Sequence, residues 1–211
     1  MNNYSAWEGV LSIDVGNLVN NYFNDLKPGE VVYDVGANVG VFSSKVLDLY
    51  PDAKVVLFEP IKDYYDYLKN KFKDNSNVDV YNFALIESTR FLTISRDGNN
   101  LGYNTITEIA SYGAPEEING IALSSLQKIE KFPLPDVIKV DVENSEYLFV
   151  EGCKELFKYH TPRKIVMEVG VLSGHPLWEK EQEMMEYLFS LGYSRFDYKE
   201  KTGTYEAVFV K

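Results

Sequence analysis

The run VVYDVGANVGVFSSKVL, Val31 to Leu47, admits few folds. An apolar, β-branched segment leads to Asp34, glycines follow at positions 36 and 40, and helical periodicity begins at once. Gly36 permits a tight turn, and Gly40 lets a helix and a ligand approach closely. The free N–H groups and positive end of the helix then face the ligand. This is a strand, a turn and a helix start in one stretch.

The rest of the chain repeats the alternation of apolar, β-branched runs with helical segments, the pattern of a parallel sheet wrapped by helices. Strands are predicted near Val31–Val35, Lys54–Phe58, Val78–Phe83, Val137–Val142, Lys164–Val169, Arg195–Lys199 and Tyr205–Val210. Helices are predicted near Asn17–Leu26, Gly40–Tyr50, Lys62–Asn75, Ser145–Phe157 and Glu179–Leu191. Lys27–Glu30 (KPGE) ends a helical lead-in over residues 1–30, and Thr202-Gly203 marks an antiparallel hairpin at the C-terminal end of the sheet. Between Ser88 and Gly120 the pattern weakens into Gly, Asn and polar residues with short β-like runs such as RFLTIS, which reads as an irregular substrate-side flap.

The 211 residues fit a single domain spanning 1–211. No apolar run approaches the ~20 residues that cross a bilayer, and the first residues lack a secretory pattern. The reading is a cytoplasmic protein, acting as monomer or homodimer. A lone cysteine, Cys153, reads as a buried filler. The net charge of -11 argues against nucleic acid and against anionic membrane as partners, and suits a neutral or cationic small molecule.

The turn is G-x-x-x-G, with Asn38 where a dinucleotide fingerprint has the second glycine that makes room for a pyrophosphate. S-adenosyl-L-methionine has no phosphate to cradle, and Asp34 suits its ammonium or the turn around it. Glu59 ends the second strand 19 residues after Gly40, where a carboxylate accepts from ribose hydroxyls. A second DVG, Asp14 to Gly16, has no following glycine at that spacing and is set aside.

VYDVGANVG, then LFEP, then DVIKVDVENSEYLFVEG, then KIVMEV resemble, in this order, the FkbM-type methyltransferases that use S-adenosylmethionine. The block Ile138 to Gly152 is similar to that family's I-K-x-D-x-E-G-x-E, with Asn144 in place of glycine; Asn tolerates a left-handed backbone. The resemblance implies a class I methyltransferase fold, a Rossmann-like sheet of seven mostly parallel strands with helices on both faces. It also implies O-methylation of a sugar, polyketide or other small hydroxylated acceptor. Asp34, Gly36, Asn38 and Gly40 would hold the methionine end and Glu59 the ribose. Pro60 and Ile61 would edge the adenine, with Asn82, Phe83 and Ala84 beside it; Phe83 reads equally well as core.

On the acceptor side, Asp141 and Glu143 end the fourth strand, at the crevice where open α/β sheets bind ligands. Two residues apart on a strand, they point the same way, and one of them can serve as general base. With Glu168 they are also hard oxygen ligands for a divalent cation, which no ligand spacing demands, and either of the two can cap the following helix. His175, just after the fifth strand, is a second candidate base, whereas His160 belongs to the opposite end. Tyr103 and Tyr112 are candidates for stacking on the acceptor. A NAD-linked oxidoreductase and a non-catalytic nucleotide-binding module of the same fold are the competing readings.

Overall fold

The computed structural model describes residues 4–96, 104–106, 114–126, 128–129, 131–170, 174–197 and 205–211. In chain order the elements are α1 (Tyr4–Tyr22), β1 (Val31–Val35), α2 (Val41–Leu49), β2 (Lys54–Phe58), α3 (Lys62–Lys71) and β3 (Val78–Tyr81). Next come β4 (Ala84–Leu85), β5 (Arg90–Arg96), β6 (Asn104–Ile106), β7 (Ala114–Ile121) and α4 (Leu123–Leu126). The chain closes with β8 (Val137–Val140), α5 (Glu146–Phe157), β9 (Lys164–Val169), α6 (Trp178–Ser190), β10 (Ser194–Asp197) and β11 (Tyr205–Val210).

Seven strands form the main sheet in the order β10-β11-β9-β8-β1-β2-β3. β3, β2, β1, β8 and β9 run parallel, while β11 pairs antiparallel with both β9 and β10. The predicted hairpin is therefore present. Because helices cover both faces, the central strands are buried along their length, and alternate residues feed two cores. Tyr33, Val35, Val56, Phe58, Ile138 and Val140 pack under α5 and α6, whereas Val32, Val55, Leu57 and Val137 pack under α1 and α2.

Three expectations need correction. The first helix is Tyr4–Tyr22 rather than Asn17–Leu26, with Gly9 and Gly16 inside it; the Asp14–Gly16 repeat is helical. The fourth main-sheet strand stops at Val140, so Asp141 and Glu143 lie beyond it. The stretch Ser88–Gly120 also holds regular structure: β5, β6 and β7 join β4 in a second, four-stranded sheet, in the order β4-β7-β5-β6. Leu92, Ile94, Ile106 and Ile118 of that sheet pack with Val39, Ile61 and Tyr64, which brings the sheet against the glycine turn and α3. Gly152 allows α5 to reach this region, because a Cβ there would stand 1.9 Å from the carbonyl oxygen of Ile86.

Candidate active site

The main sheet reverses its strand order between β1 and β8, and a cleft opens at the C-terminal ends of β1, β2 and β8. Its empty volume is about 680 Å³ with the mouth included. Gly36 and Asn38 of the turn, Glu59, Pro60 and Ile61 beyond β2, Ala84 of β4, and Asp141 and Glu143 beyond β8 all line it. The structure thus gathers eight of the predicted residues. Ile94, Ile106 and Ile118 of the second sheet, with Ile86 just after β4, supply an apolar wall on the side where the sequence predicts an irregular flap.

The turn is held from below. Gly36, Asn38 and Gly40 have φ of 78°, 50° and 74°, so three residues of five are left-handed. Gly36 and Ala37 both donate to the carbonyl oxygen of Phe58, at 3.1 and 3.2 Å. A Cβ on Gly36 would lie 2.0 Å from the backbone oxygen of Asp141, which is why the ends of β1 and β8 can meet there. Gly40 lies behind the cleft as the N-cap of α2, where a Cβ would press on Leu68 at 2.6 Å.

Asp34 is 0% exposed and does not reach the cleft wall. Its Oδ2 accepts from Ser43 Oγ at 2.6 Å, and its Oδ1 is 3.2 Å from Lys139 Nζ. Lys139 also donates to the carbonyl oxygen of Gly36 at 3.0 Å and stands 3.5 Å from Asp141 Oδ2. Burial opposes its charge, but Asp34 and Asp141 hold the ammonium above the usual lysine range. Spacing alone assigns no role to Lys139, the lysine of the I-K-x-D block. A lysine on an otherwise apolar central strand was its signal, since such a charge survives burial only when paired.

Glu59 is buried, and each carboxylate oxygen already accepts a backbone N–H: Oε2 from Asn38 and Oε1 from Ile61, both at 2.8 Å. It therefore clamps the glycine turn to the end of β2. Burial pushes its carboxyl up to about 8 against those two bonds. Asn82 supports the same corner, donating to the carbonyl oxygens of Glu59 and Pro60 at 3.0 and 2.8 Å.

Beyond β8, Glu143 and Asn144 take φ of 52° and 69°, so the left-handed turn foreseen at Asn144 begins one residue earlier. This sharp corner, rather than strand alternation, brings both Asp141 and Glu143 to the cleft. Asp141 keeps 44% of its side chain exposed. Burial, then the charges of Asp141, Glu168 and Glu146, pushes Glu143 up to about 9. Glu146, opening α5, accepts from the Val142 N–H at 3.2 Å and is raised by burial to about 8.

Two candidates stand elsewhere. His175 is exposed in the turn before α6; its Nδ1 accepts from the Leu177 N–H at 3.1 Å, and its carbonyl accepts from Trp178, so it closes that turn instead of facing the cleft. Phe83 packs on the rings of Phe58 and Tyr81, with centroids 5.7 and 5.6 Å away, and leaves the cleft wall to Ala84. His160 bonds the carbonyl oxygen of Pro135 at 2.7 Å, on the loop that enters β8. Tyr103 and Tyr112 lie outside the described residues. Among the described residues, no group of three or more His, Cys, Asp or Glu is arranged to hold a metal ion.

A carboxyl whose value in the folded chain lies above its unfolded value stabilises the fold while protonated. That contribution is complete below the unfolded value and is lost as pH rises through the folded one. Glu59, Glu143 and Glu146 all lie on that side. In the ligand-free chain the urea midpoint should fall as pH rises from about 5 to about 9; a midpoint that climbs across this window contradicts the assignment.

A family model described as the methyltransferase FkbM domain matches residues 34–195. The chain belongs to that family. The matched residues of this FkbM domain begin at Asp34 and include the glycine turn, Glu59 and the whole corner after β8. Methyltransferase sdnD of Sordaria araneosa is 31% identical over 137 residues, which are 62% of this chain and 47% of that protein. The chain spans less than half the length of the curated relatives it matches.

Solved structures agree with the FkbM domain in fold. An rRNA methylase from Streptococcus thermophilus has a TM-score of 0.52 at 9% identity, covering 95% of this chain and 94% of its own. Aeropyrum pernix fibrillarin, solved with natively bound S-adenosyl-L-methionine, has a TM-score of 0.53 at 12% identity, covering 87% and 67%. The fold of the FkbM domain is that of the class I methyltransferases. Among the described residues no helix is long and apolar enough to cross a membrane.

Proposed function

We propose that this chain transfers a methyl group from S-adenosylmethionine to a hydroxyl of a small acceptor. The observation that carries the reading is the cleft itself: a G-x-x-x-G turn, a strand-end glutamate and an acidic corner meet around one cavity, on residues that lie within the family match. The residues present fit the cofactor. Apolar isoleucines with Pro60 and Ala84 offer a seat for a purine. Glu59 keeps one lone pair on each oxygen for ribose hydroxyls, and Asp141 offers a half-exposed carboxylate to an ammonium. Asp34 then acts from below, through Lys139 and Ser43, to keep the turn in shape.

When bound, S-adenosylmethionine supplies a methyl group already activated by its sulfonium, so the protein's share is chiefly positioning and proton removal. Glu143 is the acceptor-side group placed to take the hydroxyl proton, since it lines the cleft; because its carboxyl is raised to about 9, the ionised form that can accept the proton grows as pH rises toward that value. Asn38 in place of the second fingerprint glycine weighs against NAD. The net charge of -11 favours a small acceptor over a polynucleotide.

Calorimetric titration tests the reading. S-adenosylmethionine should bind in the micromolar range, NAD should not, and Glu59→Ala should weaken the methyl donor at least ~10-fold, because it removes both the turn clamp and the ribose acceptor. NAD binding in place of the methyl donor, or an unchanged affinity in Glu59→Ala, contradicts it.

A further inference from the structure

The back of the glycine turn is held by a side chain that belongs to no motif. Lys71, in the last turn of α3, donates from Nζ to the carbonyl oxygen of Val39 at 3.1 Å and, at longer range, to that of Gly40 at 3.4 Å. The same ammonium lies 2.6 Å from Oε1 of Glu8 on α1, and Tyr67 of α3 donates its hydroxyl to that oxygen at 2.9 Å. One turn earlier on α1, Tyr4 packs edge-on against Tyr64, with centroids 5.6 Å apart, and tilted against Tyr67 at 5.1 Å. The spacing explains the match, since Tyr4 and Glu8 share one face of α1, and Tyr64, Tyr67 and Lys71 share one face of α3. Tyr64 is buried and lines the cleft. Through α3, the first two turns of α1 therefore reach the cleft from two sides: the glycine turn by way of Lys71, and the wall by way of Tyr64.

We propose that Lys71 is a positioning residue for cofactor binding and that Glu8 completes it: docked, α1 holds the Lys71 ammonium on the glycine turn, so that S-adenosylmethionine binding and the docking of α1 favour one another. The inference rests on the cofactor reading above and adds α1, whose residues lie outside the stretch 34–195 matched by the family model. The turn is the part of the cleft that needs such support. Residues 36, 38 and 40 are left-handed, a conformation that persists only where the surroundings hold it. Asn38, which lines the cleft and gives its N–H to Glu59, directly precedes Val39, whose carbonyl Lys71 holds. A lysine in the last turn of a helix is favourable in any case, but this one spends its donors on another element's backbone. Lys71 and Glu8 are both largely withdrawn from water, so their attraction is screened less than that of an open surface pair. Release of α1 would leave Lys71 without its carboxylate and Tyr64 without the ring of Tyr4. Linkage makes the effect reciprocal: whatever α1 docking adds to cofactor affinity, the cofactor adds to α1 docking.

Two measurements on the full chain test this, with S-adenosylhomocysteine as the probe. In calorimetric titration well below the melting temperature, Lys71→Met should bind the probe about 10-fold more weakly than the parent. Glu8→Gln, which keeps an oxygen for the Tyr67 hydroxyl and loses only the charge, should bind it about 5-fold more weakly. A merely structural role for the pair would lower the melting temperature and leave these affinities alone. In hydrogen exchange, the probe should slow the amides in the first turns of α1 at least ~5-fold in the parent, and this protection should be lost in Lys71→Met. An affinity unchanged in Lys71→Met overturns the proposal. So does α1 exchange in the parent that is the same with and without the probe, a comparison that needs no variant to fold. Failure of the parent to bind S-adenosylhomocysteine at all would overturn the cofactor reading itself, and this inference with it.

Discussion

Lys139→Met is expected to lower stability by about 3–5 kcal/mol, the cost of breaking a buried ion pair from one side. Asp34 is 0% exposed and would keep only the Ser43 hydroxyl, since the ammonium 3.2 Å from its Oδ1 is gone. The Gly36 carbonyl would lose its donor as well, so the turn should loosen and S-adenosylmethionine affinity should drop with stability. Denaturant unfolding of the ligand-free chain measures the first effect. The double variant Asp34→Asn, Lys139→Met should recover a good part of the loss, because neither charge is then stranded. A single-variant loss under ~1 kcal/mol would mean that the pair is not the support described.

Gly36→Ala should be comparably severe, for steric reasons. The added Cβ falls 2.0 Å from the Asp141 carbonyl oxygen, a backbone atom that cannot rotate away, at a φ of +78° that L residues avoid. Relief requires β1 and β8 to part at their C-terminal ends, where Asp141 and Glu143 enter the cleft. We expect about 3 kcal/mol of destabilisation and about a 100-fold loss of cofactor affinity. Affinity within about threefold of the parent would show that the turn relaxes freely.

The main sheet was legible because its strands are buried on both faces and punctuated by Gly and Pro, so β1, β2, β9 and β11 fall at their predicted bounds. Of the second sheet only the β-like run RFLTIS, now β5, stood out. In β7 the exposed Glu117 and Asn119 alternate with buried Ile118 and Gly120, and in β5 the exposed Phe91 and Thr93 alternate with buried Leu92 and Ile94. That period of two was readable, but the surrounding Gly and Asn residues concealed it.

The site was legible as a set of positions more than as a set of roles. Asp34 and Glu59 sit at their strand ends, yet one supports the turn from beneath and the other clamps it. A carboxylate's partners are set by tertiary contacts such as Lys139 and the Asn38 N–H, which spacing alone does not reveal. His175 shows the same limit: a histidine after a strand can close a turn as readily as face a ligand.

The most direct measurement is a crystal structure of the chain with S-adenosylhomocysteine. The account predicts the adenine against Ile61 and the isoleucines of the second sheet, the ribose at Glu59, and the amino acid end by Gly36 and Asp141. The ligand's sulfur should point toward Glu143. A ligand bound away from this cleft, or lying in it without contact to Glu59 and Asp141, would contradict it.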